Sequence, residues 1–409
     1  MQYRRFGKTE LQMPVFSCGG MRYQQTWDDA TLDVVEDKNQ RNLEATIHRA
    51  LELGVTHIET ARGYGTSERQ LGRVLPGLRE ERPMSGGPDG LIVQTKVAPV
   101  ADAEGFRRLV LDSLDRLRLP RVDLLGLHGI NTHELLWWST RPGGCLQVAR
   151  ELQEEGKVGA VGFSTHGATD LIVDAVSTQA FGGFDYVNLH WYYINQWNWP
   201  AVQAAREHDL GVFIISPSDK GGMLYRPSER LVELCQPLHP LVFNCVYCLN
   251  RPEVHTLSLG ASQPSDFDLQ MQSLPHLERA DELLPPIVDR LRAAMTDAVG
   301  AEAADAFREG LPVWDAEKNA GYINTHVVLW LRHLALAYDM IEYGQMRYNL
   351  LGNGGHWFPG LGATHLDTIP AERFEKAYSD SPFADRIVGW LREAHELLGG
   401  AEVKRLSAE

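Results

Sequence analysis

Apolar positions along the first two thirds of the chain follow two alternating periods. Short apolar runs at 15–18, 55–58, 91–94, 122–127, 158–163, 186–189, 211–215 and 256–259 read as strands. Between them lie segments with apolar residues at i, i+3 and i+4. In 42–53 these are Leu43, Ile47, Ala50 and Leu51, and the pattern stops at Gly54, a residue suited to end a helix. Segments 67–75, 106–117, 145–154, 170–176, 200–208 and 240–249 repeat the helical pattern.

About eight strands thus alternate with helices, each unit near the length of a βαβ step. Their density of Val, Ile and Leu suits parallel strands covered on both faces. The pattern predicts an α/β fold, a closed (β/α)8 or TIM barrel of roughly 250 residues. An open doubly wound sheet is the competitor, but it calls for a Gly-rich dinucleotide loop after an early strand, and Gly19-Gly20 is not that loop.

Beyond about residue 280 the alternation ceases. Segments 281–304, 323–343 and 383–398 read as helices, the last two separated by the Gly/Pro-rich GNGGHWFPGLGATH. The expected organisation is a barrel over 1–278 and a helical extension over 279–409, with no internal repeat.

Composition narrows the partners. With 39 Lys+Arg against 54 Asp+Glu among 409 residues, the formal net charge is −15. That balance argues against nucleic acid or an anionic membrane, since both need a basic surface. A hydrophobic fraction of 44% with 23% charged residues is ordinary for a globular chain. The first residues, MQYRRFGKTELQMPVF, lack the apolar core of a signal peptide, and the run 327–336 is broken by Arg332 and His333. The expectation is a cytoplasmic protein, its oligomeric state unspecified.

Chemistry in such a barrel concentrates at the C-terminal ends of strands. Those positions hold Glu59 and Tyr64, then Lys96, His128, Ser164-Thr165-His166, Asn188 and His190, and 216–220. Within this frame IETARGYGTSE at 58–68 resembles the signature of the aldo-keto reductases, a (β/α)8 family that uses nicotinamide. QTKV at 94–97, DLLGLHGIN at 123–131 and VGFSTHG at 161–167 resemble that family's later motifs in order and spacing. So do SPSDKGGML at 216–224 and RPEVHTLSLGASQPSDF at 251–267. GHWFPG at 355–360 and REAHELL at 392–398 resemble a subgroup with a ferredoxin-like tail.

The resemblance implies reduction of a small aldehyde or ketone by hydride transfer. Tyr64 would be the general acid, Lys96 the cation beside it, and His128 the residue orienting the carbonyl. The fourth position, Asp in most of the family, is Glu59 here. A free tyrosine has a pKa of about 10, so its acidity depends on that neighbourhood. Ser164, Thr165 and Asn188 fall where the family holds the nicotinamide carboxamide, and Gly20, Met21 and Arg22 beside the ring's other edge. Ser216 and Lys220 follow the seventh strand. Gly260, Ser262, Gln263 and Asp266 stand in the region that receives the 2′-phosphate of NADP. Asp266 would repel a phosphate and Lys220 would offset it. NADP is the expected cofactor, with NAD as the alternative.

The aromatic run HWYYINQWNW at 190–199, with Trp27, Trp137 and Trp138, either walls a pocket for apolar carbonyl compounds or packs the C-terminal segment. The five cysteines, at 18, 145, 235, 245 and 248, give no disulfide framework, and none follows Cys248. A tail descended from the ferredoxin-like one would therefore hold no cysteine-ligated iron–sulfur cluster. Two other functions stay open. A metal-dependent hydrolase would use His128, His166 and His190, although the family motifs account for His128 with no metal. A non-catalytic nicotinamide sensor or interaction protein is motivated by Glu59 and the cluster-free tail.

Overall fold

The computed structural model describes residues 1–83, 86–219, 222–352 and 359–400. Two strands precede the apolar runs. β1 (Tyr3–Arg5) and β2 (Gln12–Pro14) pair antiparallel as a hairpin. Each apolar run then forms one strand: β3 (Phe16–Gly19), β4 (His57–Glu59), β5 (Ile92–Val97), β6 (Val122–His128), β7 (Val158–Ser164), β8 (Tyr186–Leu189), β9 (Gly211–Ile214) and β10 (Thr256–Leu259). These eight close into a parallel barrel in the order β10-β3-β4-β5-β6-β7-β8-β9. The (β/α)8 architecture read from the apolar periods is the one the chain adopts.

Helices between the strands bury the faces that the 3.6-residue period marks. Helix Asp37–Glu52 buries Leu43, Ile47, Ala50 and Leu51 and is followed by Gly54 at φ +79°. Each fully buried Leu or Ile on such a face contributes about 1.5–3 kcal/mol, so packing rather than propensity holds the helix ring on the barrel.

Inside the barrel, side chains alternate inward along each strand and stack in layers. On the floor, Ile92, Leu124, Ala160, Tyr186 and Phe213 pack with Phe6 and Met13, so the hairpin plugs the N-terminal end. The next layer is polar. Ser17 Oγ lies 2.6 Å from His57 Nδ1 and 2.7 Å from Thr256 Oγ1, and Gln94 Nε2 donates to the Tyr186 hydroxyl at 3.3 Å. Burial drives the His57 pKa down to about 3, so this imidazole is neutral. Gly126 leaves room for the Lys96 stem. A Cβ there would stand 2.9 Å from Lys96 Cγ and 3.3 Å from the Tyr186 hydroxyl.

The chain divides into two compact units, Met1–Lys220 with Asn244–Ala280, and Gly221–Phe243 with Asp281–Glu409. Among the described residues of the second unit there is no strand, only an isolated parallel bridge between Ile323 and Leu361. Its helices include Ala280–Val299, Thr325–Tyr338, Ile341–Tyr348, Ala371–Tyr378 and Ala384–Leu398. Val328, Leu331, Leu334, Ile387, Leu391 and Leu398 are buried there, and Arg332 Nε donates to Glu393 at 2.8 Å. The helix expected over 323–343 is two helices. Asp339 adopts φ +53° between them and ends the first.

Candidate active site

β4 ends on Glu59, and the chain turns so that Tyr64 comes back over it. Tyr64 N donates to Ala61 O at 3.0 Å, and Gly65 follows at φ +53°. A side chain at 65 would overlap the Thr26 carbonyl, so the close approach of the loop after β3 requires glycine here. Ser67 Oγ holds the same turn, 2.8 Å from Thr60 Oγ1 and donating to Gly20 O at 2.9 Å.

Lys96, on the inward face of β5, reaches into this turn. Its ammonium forms an ion pair with Glu59 Oε1, donates to Thr60 O at 2.9 Å, and lies 4.7 Å from the centre of the Tyr64 ring. The Tyr64 hydroxyl donates to Glu59 Oε1 at 3.5 Å. His128, at the end of β6, meets the Tyr64 ring edge-to-face, with centroids 5.6 Å apart at 85°. The four residues expected to carry the chemistry, Glu59, Tyr64, Lys96 and His128, are thus together at one mouth of the barrel. Burial raises the Tyr64 phenol above the ordinary tyrosine value and lowers the Lys96 ammonium below the ordinary lysine value.

His128, Ser164 and Asn188 stand side by side in register on β6, β7 and β8. Ser164 Oγ accepts from Gly129 N at 3.0 Å, which leaves its own proton to donate. Thr165 Oγ1 donates to Ile130 O at 2.7 Å. The Asn188 amide is fully buried, and among the described residues neither its nitrogen nor its oxygen has a hydrogen-bond partner. An orphaned donor and acceptor in one buried amide are costly unless a ligand completes them, and a carboxamide offers the complementary pair.

Around this centre, Gly20 N donates to Glu59 O at 2.7 Å, which sets Met21 and Arg22 on the loop after β3. Arg22 donates to Gly260 O at 2.6 Å and lies 4.0 Å from Asp266. Asp266 Oδ2 accepts from both Ser262 N and Ser262 Oγ at 2.8 Å, capping the short turn that Gln263 opens. Ser216 follows β9 at φ +57°, and Asn244 Nδ2 donates to Pro217 O at 2.5 Å. Lys220 lies outside the described residues, as do residues 355–358 of the GHWFPG motif.

Trp27 stands edge-on to Tyr64 at 6.3 Å and 80°, and is 53% exposed. Its loop is anchored by Asp29, which accepts from Arg116 at 2.6 and 2.9 Å. Trp191, from the same aromatic run, is buried and stacks on Tyr247 of the barrel unit at 5.4 Å.

His166 and His190 pair with each other, Nδ1 to Nε2 at 2.8 Å, whereas the ring contact of His128 is with Tyr64. Among the described residues no group of three or more His, Cys, Asp or Glu side chains converges as metal ligands. Nor is any described helix long and apolar enough to cross a membrane.

Several contributors were not visible in the sequence. Thr60 acts through its carbonyl, Asn131 Oδ1 accepts from His166 N at 2.7 Å, and Asn42 Nδ2 donates to Ser262 O at 2.6 Å. A Thr or Asn in a loop carries no pattern that marks such a role.

The fold is a parallel eight-stranded (β/α)8 barrel with Tyr64, Lys96, His128 and the Glu59 carboxylate at the C-terminal ends of its strands. The model of the aldo/keto reductase family matches residues 16–229, and the chain belongs to that family. It is 30% identical over 146 residues to the L-glyceraldehyde 3-phosphate reductase of Escherichia coli (strain K12), covering 32% of this chain and 37% of that protein. It is 32% identical over 127 residues to the L-galactose dehydrogenase of Arabidopsis thaliana, covering 29% of this chain and 37% of that one. The chain therefore matches little more than a third of the length of these curated relatives. In structure it is similar to the aldo-keto reductase AKR11C1 from Bacillus halodurans in its holo form. The TM-score is 0.54 at 20% sequence identity, covering 69% of this chain and 96% of that one, a likeness of fold.

Proposed function

We propose that this protein reduces an aldehyde or ketone to an alcohol with NAD(P)H, Tyr64 acting as the general acid. The observation that carries this reading is the convergence of Tyr64, Lys96, Glu59 and His128 at one barrel mouth. When bound, the reduced nicotinamide supplies a hydride to the carbonyl carbon. The Asn188 amide and the Ser164 hydroxyl would hold its carboxamide, and the loops carrying Gly20–Arg22, Ser216 and Gly260–Asp266 would receive the rest of the dinucleotide.

As negative charge develops on the carbonyl oxygen, the Tyr64 O–H transfers its proton there. Such positioned proton transfer contributes about 10²–10⁴-fold. His128, packed against the Tyr64 ring, offers an imidazole N–H to the same oxygen and fixes its direction. Lys96 and Glu59 are held as a buried pair, so the carboxylate is compensated and the ammonium stays beside the phenol. Trp27 gives the substrate an exposed aromatic wall next to the acid. NADP(H) is the first candidate by family, with NAD(H) favoured locally by the Asp266 carboxylate. All five cysteines are buried and none is joined in a disulfide, which supports a reducing compartment such as the cytoplasm.

Titration of NADPH and NADH against tryptophan fluorescence, followed by turnover with a panel of aldehydes, tests this reading. Saturable binding of at least one cofactor with consumption of an aldehyde is expected. Failure of both to bind would overturn it, and binding with no turnover would point to a nicotinamide sensor.

A further inference from the structure

The reductase reading above makes Tyr64 an acid, and the structure shows what its proton faces before substrate arrives. The hydroxyl donates to Glu59 Oε1 at 3.5 Å. The Lys96 ammonium is directed to Glu59 and to Thr60 O, and it lies over the ring face, 4.7 Å from its centre. One carboxylate oxygen, Glu59 Oε1, thus meets both the cation and the phenol oxygen. We propose that Glu59 is the direct acceptor for the Tyr64 hydroxyl and holds it in the proton-donating form.

The two directions need opposite forms of the same residue. Reduction begins with the phenol: its O–H bond breaks, the proton goes to the carbonyl oxygen, and the carbonyl carbon takes the hydride. Alcohol oxidation begins with the phenolate, which takes the alcohol proton as the carbon gives its hydride to the oxidised nicotinamide. A carboxylate accepting from a phenol favours the phenol, whereas an ammonium at hydrogen-bond distance favours the phenolate. Among the described residues, the titratable groups facing Tyr64 are Glu59 from β4, Lys96 from β5 and His128 from β6, while Trp27 brings no charge. Arg62, two residues away, is engaged by Asp112. Burial acts in the same sense as the carboxylate and raises the phenol.

Side-chain length decides which neighbour the hydroxyl meets. Glutamate carries one more methylene than aspartate, a C–C step of about 1.5 Å. Shortening residue 59 withdraws the carboxylate towards β4, keeps the charge, and opens the phenol oxygen to Lys96.

The test is the titration of Tyr64 in the cofactor-free protein, followed by NMR of tyrosine labelled at Cζ and assigned with Tyr64→Phe. The wild-type signal should stay in the phenol form beyond the ordinary midpoint of about 10. In Glu59→Asp the midpoint should fall by about one to three pH units. Glu59→Gln, which removes the charge, should lower it as well. An unchanged Tyr64 midpoint in both folded variants would overturn the proposal. That NMR result is independent of turnover, so it remains distinguishable from failure of the reductase reading itself.

Discussion

Lys96 approaches Tyr64 from above the ring, its ammonium 4.7 Å from the ring centre, while the same ammonium pairs with Glu59. The approach depends on Gly126, because any side chain at 126 would press on the lysine stem. Gly126→Ala places a carbon 2.9 Å from Lys96 Cγ. The stem must shift, and misplacement of about 1 Å near a reacting centre costs on the order of a hundredfold. We expect kcat for carbonyl reduction to fall by about that factor, with cofactor affinity unchanged. Steady-state kinetics beside a fluorescence titration checks both.

Trp27 should matter to substrate and little to the fold. Its loop is tied down by Asp29 and Arg116, and by Gln25 N donating to Gln70 Oε1 at 2.9 Å, none of which involves the indole. Removing a ring that a bound substrate covers forfeits about 1.5–3 kcal/mol. Trp27→Ala should therefore raise KM for an aromatic aldehyde about tenfold or more. Its thermal midpoint should match the wild type, as for other exposed positions.

Cofactor choice is expected to turn on Asp266. Its carboxylate caps the turn at 262–266 and has Arg22 at 4.0 Å, a pairing that offers little net positive charge to a 2′-phosphate. Asp266→Asn keeps an acceptor for Ser262 and removes the repulsion. The dissociation constant for NADPH should fall about tenfold relative to that for NADH, about 1.4 kcal/mol. Parallel titrations of the two cofactors measure that ratio.

His57 supplies a pH signature of the polar layer beneath Lys96. Its folded-state pKa of about 3 lies below the ordinary value of 6.5, so the unfolded chain binds this proton first as pH falls. The contribution to stability is thus full above about 6.5 and declines as pH drops towards 3. The stability difference between wild type and His57→Gln should shift against the wild type by about 1.4 kcal/mol per pH unit in that window. Denaturant unfolding of both proteins at several pH values would show it.

The barrel was legible because each buried strand is a short run of apolar residues and each helix shows a 3.6-residue period. The hairpin of β1 and β2 was not, since Phe6 and Met13 are isolated apolar residues among polar ones and become core only when the barrel closes over them. The split at Asp339 was hidden by apolar residues continuing through Met340 and Ile341. At the site, polar residues ending apolar strands announced themselves, and Glu59, Tyr64, Lys96 and His128 meet as the strand order requires. The contact between Thr60 O and Lys96 spans 36 residues and that between Asn42 and Ser262 spans 220. Both involve backbone carbonyls, to which side-chain identity gives no guide. The sequence likewise did not reveal that the extra methylene of Glu59 would bring its carboxylate to the Tyr64 hydroxyl.

The most direct measurement is turnover of an aldehyde by wild type and Tyr64→Phe, with cofactor affinity determined on the same samples. The wild type should consume reduced nicotinamide in step with alcohol formed. Tyr64→Phe should bind the cofactor equally well and turn over at least about a hundredfold more slowly. Turnover by Tyr64→Phe within about threefold of the wild type, well short of that loss, would contradict the assignment of Tyr64 as the acid.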